Sequence, residues 1–150
     1  MRDEWAQLPI QKLSINEQTG DRYGEKIMMH RIGAVFYVMW GILHLNAANM
    51  LYQLSATLDP GVLEARVVQA AWHLAFFGVV AIAVGMRWNW RNSALGYWIN
   101  IVTLTVVDLG FIVIVFIPYL PFWPAVLGPL FWVLAVIFST TGYVKEPRTA

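Results

Sequence analysis

Apolar residues run in four long stretches along this chain, at 32–54, 64–86, 93–117 and 121–143. Each is close to the ~20 residues a helix needs to cross a bilayer. The connections "SATLDPGVL", "RWNWRN" and "PYL" are short, and short connections make consecutive helices antiparallel neighbours. The pattern predicts an all-α fold, an integral membrane up-down four-helix bundle. Residues 1–31 are expected to form an N-terminal tail, 32–143 the four-transmembrane-helix domain and 144–150 a C-terminal tail. The first tail mixes acids with bases and has no early apolar run, so it does not read as a secretory signal. Pro118, Pro121 and Pro124 break the chain between the third and fourth stretches, and Pro129 is expected to kink the last helix or open its first turn.

Composition agrees with a bilayer as solvent. Of 150 residues, 59% are hydrophobic and 13% charged, against about 45–50% and about 25% in ordinary globular domains. There is no cysteine, which excludes thiolate chemistry, disulfides and cysteine-ligated zinc. A net charge of +1, with no basic stripe interleaved with aromatics, gives nucleic acid no footprint.

The basic residues orient the bundle. Arg2, Lys12, Arg22, Lys26 and Arg31 precede the first stretch, Arg87 and Arg91 sit between the second and third, and Lys145 and Arg148 follow the fourth. Only Arg66 falls on the other side. By the positive-inside rule both termini are expected to be cytoplasmic, in a bacterial-type inner (plasma) membrane. Trp88, Trp90, Tyr97 and Trp98 gather at the inner boundary, and Tyr119, Phe122 and Trp123 at the outer one, where amphipathic rings favour the headgroup level.

The stretch "VMWGILHLNAANMLYQL" then raises a difficulty, because it carries His44, Asn46, Asn49 and Gln53 inside a span. The second span holds Gln69 and His73, the third Asn100, Thr103, Thr105 and Asp108, and the fourth Ser139, Thr140 and Thr141. An Asp at a helix centre costs about 2.5–3.5 kcal/mol on insertion scales, and such residues usually face the bundle interior. At ~1.5 Å per residue, His44 lies roughly 18 Å in from the inner edge, His73 about 13 Å in from the outer edge and Asp108 about 22 Å from the inner edge. In a core ~30 Å thick these three ionisable groups share one slab. At ~100° per residue Asn46 points about 200° away from His44, and Asn49 and Gln53 return to the Asn46 side. The first span therefore has two polar sides, one facing a site in its own bundle, the other a neighbouring helix or protomer.

His44 and His73 have a plain reading as interhelical hydrogen-bonding groups, worth ~0.6 kcal/mol on average. Their sharper reading is ligation, with haem held between two imidazoles or a metal held with Asp108 as two histidines and one carboxylate. For Asp108 the plain reading is a partner for a histidine or Thr105, and the sharper one a general acid or base. His44, His73 and Asp108 are the candidate catalytic residues, and His44 and His73 the candidate haem ligands. Trp40, Trp72 and Trp132 read as packing, or as the walls of an apolar pocket. The "FSTTGY" hydroxyls are expected to bond back to helix carbonyls.

The pattern "RVVQAAWHLAFF…WRNSALGYWINIVTLTVVDLGFIVIVFIP" resembles uncharacterised small bacterial four-span membrane proteins, a resemblance that implies no activity. There is a fainter likeness to styrene oxide isomerase, a small four-span membrane enzyme that uses haem to rearrange epoxides. Size, span count, the Ala65–Arg66 pair opening the second span and Asp108 close to Gly110 in the third carry it. Where that family places its haem-ligating histidine, this chain has Val67, Val68 and Gln69.

Together these readings suggest a site for binding or converting a small lipophilic molecule, with haem as a candidate cofactor. An accessory or structural subunit without catalytic activity, or a small-solute or proton transporter, is the alternative, and a homo-oligomer or membrane complex is expected in each case. The charge asymmetry makes a direct prediction. A reporter fused after Ala150 should read cytoplasmic, and one inserted at residues 59–61 should read external; the opposite result at either position would overturn the four-span arrangement.

Overall fold

The computed structural model describes residues 8–145, with side chains from Met29 onward, and every element in it is helical. The helices are α1 (Leu8–Ser55), α2 (Val62–Arg87), α3 (Ala94–Phe111) and α4 (Leu127–Lys145). A π-helical turn, Ile112–Phe116, and a last turn, Ile117–Tyr119, extend α3 outward. Among the described residues, four segments are long and apolar enough to cross a membrane: Met29–Ser55, Val62–Arg91, Ala94–Tyr119 and Leu127–Lys145. α1 begins at Leu8, so the described part of the N-terminal tail continues the helix of the first span. Residues 1–7 and 146–150 of the two tails lie outside the described residues.

The fourth span begins at Leu127 rather than near residue 121. The cause is local: Pro124 disfavours helical backbone in the residue before it, and Trp123 is extended there, with φ −107° and ψ 133°. Pro129 falls in the first turn of α4 and is buried, where its missing N–H costs no helical hydrogen bond.

α1 lies between α2 and α4 and packs along both, while α3 closes the ring with lighter contacts to those same two neighbours. Small residues allow the close approach. A methyl group on Gly41 would lie 2.6 Å from the Gly78 carbonyl oxygen of α2, and one on Gly78 would lie 2.8 Å from the Gly41 oxygen. Toward α4, a Cβ on Gly33 would sit 2.7 Å from the Ser139 nitrogen, and one on Gly142 would sit 2.8 Å from that of His30. Tyr37, Trp40, Ala81, Leu104 and Ala135 form the core between these contacts, and Phe36, Phe77, Val107, Phe131 and Trp132 pack around it. α1 is the most enclosed span, with 33% of its apolar window buried, and α3 the least, with 11%. α3 is also the most apolar of the four, as a helix facing lipid on most sides must be.

Polar contacts knit the predicted cytoplasmic end. His30 Nε2–H donates to the Trp90 carbonyl at 3.1 Å, and Asn92 Nδ2 donates to the Gly142 carbonyl at 3.4 Å. Asn92 is left-handed (φ 54°), closing the turn Asn89–Arg91, a conformation that asparagine tolerates better than most residues. Tyr97 and Thr140 hydroxyls lie 3.3 Å apart, and the Arg31 guanidinium sits 5.5 Å from the centre of the Trp90 ring. The space among His30, Asn89, Asn92, Ser93, Tyr97 and Ser139 leaves no room for a water molecule. This layer is packed, not a pocket.

The glycine contacts carry a test. Gly41→Ala should lower stability by about 1–3 kcal/mol, because the added methyl forces α1 and α2 apart. Gly110→Ala, whose methyl meets nothing within 4 Å, should be neutral or stabilising, as expected of Ala over Gly in a helix. Thermal unfolding in mild detergent checks both, and equal tolerance of the two would contradict the packing described.

Candidate functional site

The buried face of α3 is set by helical spacing: Asn100, Leu104 and Asp108 stand one turn apart, and all three are fully enclosed. That face points across the bundle at α1, whose own enclosed side presents Tyr37, Trp40 and His44. The centre of the site is the meeting of Trp40 with Asp108. The Trp40 indole Nε1–H donates to Asp108 Oδ2 at 2.7 Å, a short, well-formed bond. Asp108 Oδ1 is buried without a hydrogen-bond partner.

His44 lies beside this pair. Its ring stacks on the Trp40 indole, with centroids 3.5 Å apart and planes 22° from parallel. Its Nδ1–H donates to the Trp40 carbonyl oxygen at 3.0 Å. A carbonyl only accepts, so this bond places the proton on Nδ1 and leaves Nε2 as an acceptor or ligand atom in the neutral ring. Across from it the N-terminus of α4 comes close, since a methyl on Gly128 would lie 3.8 Å from His44 Cε1. Trp132 of α4 turns its indole N–H to Thr105 Oγ1 of α3 at 3.3 Å, which ties the last two spans together next to the site.

Further toward the end of the bundle that holds Arg31 and Lys145, two more polar links cross it. Ser139 donates to the Val136 carbonyl at 3.3 Å, so Tyr37 is the donor in the 3.1 Å bond between Tyr37 and Ser139. The side-chain amides of Asn89 and Asn100 lie 3.1 Å apart. Turning the Asn89 amide brings its nitrogen within 3.1 Å of the Gly96 carbonyl and 3.2 Å of the Val84 carbonyl, so Asn89 can close the turn between α2 and α3. Tyr37, Ser139 and Asn89 have partners that account for them. Asn100 Oδ1, one end of the same α3 face, is buried without a partner as Asp108 Oδ1 is, but only Asp108 is an ionisable group.

The three residues expected to converge do so only in part. Asp108 and His44 share Trp40 as a common neighbour. His73 lies on the exposed face of α2 and bonds to neither. The reason is rotational: on α2 the enclosed line runs through Ala71, Gly78, Ala81 and Gly85, and His73, ~200° on from Ala71, turns outward. Equal depth therefore did not mean a shared face. The two histidines are not arranged to hold haem between them, and among the described residues no three His, Cys, Asp or Glu side chains converge as a metal-ion site. Asn46, Asn49 and Gln53 are exposed on the other side of α1, as the helical phase predicted. Arg66 donates to Gln69 at 2.9 Å on the surface of α2.

Trp40 is the residue that sequence reasoning undervalued. It stands one turn before His44 on the same face, and a buried indole N–H needs an acceptor. Asp108, on another span, was the acceptor available to it. No family model matches the chain, and neither does any curated protein or solved structure.

Because the Trp40–Asp108 bond is enclosed, removing one partner strands the other. Asp108→Ala and Trp40→Phe should each lower stability by about 1–3 kcal/mol. The double variant Asp108→Ala, Trp40→Phe removes both polar groups and should cost less than the sum of the two single changes. Strictly additive losses in thermal unfolding would mean that the two side chains do not interact.

Proposed function

We propose that this chain is a multi-pass inner-membrane protein, with both termini cytoplasmic, that binds or converts a small lipophilic molecule at Asp108. One observation carries the reading: a carboxyl enclosed at the bundle centre, with one oxygen fixed by an indole and the other without a partner. A carboxyl kept only to join helices would be expected to satisfy both oxygens, because an unpaired buried polar atom costs about 1–3 kcal/mol. Natural proteins retain such costs chiefly at functional sites.

In this reading Asp108 meets the ligand's polar atom through Oδ1, either as a hydrogen-bonding group or as a general acid or base. Trp40 is a positioning residue that fixes the rotamer of the carboxylate. His44 Nε2 supplies a second acceptor, or a single ligand position for a cofactor such as haem, with its tautomer set by the Trp40 carbonyl. Phe77, Leu104, Phe131 and Trp132 give the surroundings an apolar and aromatic character, which suits a ligand that arrives from the bilayer. The plain alternative, an accessory subunit whose polar groups are glue, draws its support from the packed layer of His30, Asn92 and Tyr97, not from Asp108.

The two readings separate by experiment. The protein in lipid nanodiscs is titrated with small lipophilic probes that carry oxygen acceptors, one in styrene oxide and two in menadione, while thermal stability and probe turnover are followed. The proposal expects at least one probe to raise the midpoint of the wild type and to lose that effect in Asp108→Asn, which keeps the side-chain shape. Probes that shift wild type and Asp108→Asn alike would remove Asp108 from any binding role.

A further inference from the structure

The outward side of α1 carries a pattern that the internal site does not use. Val35, Met39, Ile42, Asn46, Asn49 and Gln53 are all exposed, and they follow one another at alternating intervals of four and three residues. That spacing is the 3.5-residue repeat of a helix seam that packs against a second helix in a left-handed crossing. The inner half of the line is apolar and the outer half consists only of primary amides. Asn46 Nδ2 reaches no better acceptor than the Met50 sulfur, 3.9 Å away. Acyl chains offer an amide no hydrogen bond, so facing them is costly at this depth.

We propose that this line is the contact between two copies of the chain, paired in parallel along α1. The chemistry favours a second copy over an unlike partner. Two copies inserted with the same orientation can be related by a twofold axis only if that axis runs along the membrane normal. Each residue on the seam then meets its own counterpart at the same depth, so every position must be self-complementary. A carboxylate or a guanidinium would face a like charge there. A primary amide carries both a donor and an acceptor and pairs with itself. Asn46, Asn49 and Gln53 all meet that condition, as do the apolar Val35, Met39 and Ile42. The seam also lies opposite the face that Tyr37, Trp40 and His44 turn inward, so pairing leaves the internal site intact. The inference does not depend on what Asp108 does.

The chain has no cysteine, so single replacements can report contact directly. Ile42→Cys, Asn46→Cys and Asn49→Cys are oxidised in native membranes with copper–phenanthroline, beside Val106→Cys on the lipid-facing side of α3 as control. Val106 is 69% exposed, so it is equally open to chance collision. The expected result is a disulfide-linked dimer of the chain at the α1 positions and little at Val106. In nanodiscs of defined stoichiometry, the otherwise native double variant Asn46→Leu, Asn49→Leu should dissociate roughly tenfold more readily, from loss of the paired amides. Absence of dimer at every α1 position, equal capture at Val106, or capture of an unlike protein at the seam would each overturn the proposal. So would a dissociation constant unchanged by the leucine replacements.

Discussion

The main chain of α1 runs almost in contact with the main chains of two other helices, and the rest of the bundle follows from that. Gly41 and Gly78 each leave the other's carbonyl oxygen where a methyl group would otherwise stand, and between α1 and α4 Gly33 admits the Ser139 backbone and Gly142 that of His30. In a bilayer, apolar surface gains little by turning inward, since lipid is as apolar as leucine. Association rests on close packing and on hydrogen bonds between helices. Glycine supplies the first by letting backbones approach. Once α1 is held on two sides, its third direction can only be the centre of the bundle, and its fourth is open to the membrane.

Those two remaining directions are where its polar residues lie. Toward the centre, Trp40 and His44 stack and the indole reaches Asp108 of α3. α3 has few close backbone contacts with its neighbours and much of its surface faces outward. The Trp40–Asp108 bond is thus a polar tie across the bundle to the helix that packing holds least. The same α3 departs from regular α geometry just beyond Asp108, at the π-helical turn Ile112–Phe116, a feature often found beside functional sites. Outward, Asn46, Asn49 and Gln53 are exposed, and the Asn46 amide reaches no better acceptor than the Met50 sulfur.

Much of this was readable from the amino acids. Four apolar stretches with short connections specify the helical bundle, because the bilayer admits few alternatives for backbone hydrogen bonding. Helical phase separated the His44 side of α1 from the Asn46 side without knowledge of any neighbour. Reading failed where rotation between helices mattered. His73 has the right depth but points outward, and no property of α2 alone reveals which of its faces α1 will cover until the Gly41–Gly78 contact is known. The start of α4 was misplaced for a different reason: Pro121 and Trp123 are apolar enough to extend a hydropathy pattern, yet both are extended there, not helical. Trp40 was legible in principle, since its N–H demands an acceptor, but an apolar ring in an apolar span masks that demand.

The Trp40 indole N–H reports on its bond to Asp108 without an intermediary. In uniformly nitrogen-labelled protein in bilayers, its resonance is assigned by its loss in Trp40→Phe and followed by solid-state NMR. The account predicts a strongly hydrogen-bonded proton that exchanges slowly with deuterated water and whose shift moves substantially in Asp108→Asn. An indole proton that exchanges as fast as those of the interfacial tryptophans, or that ignores the change at Asp108, would contradict it.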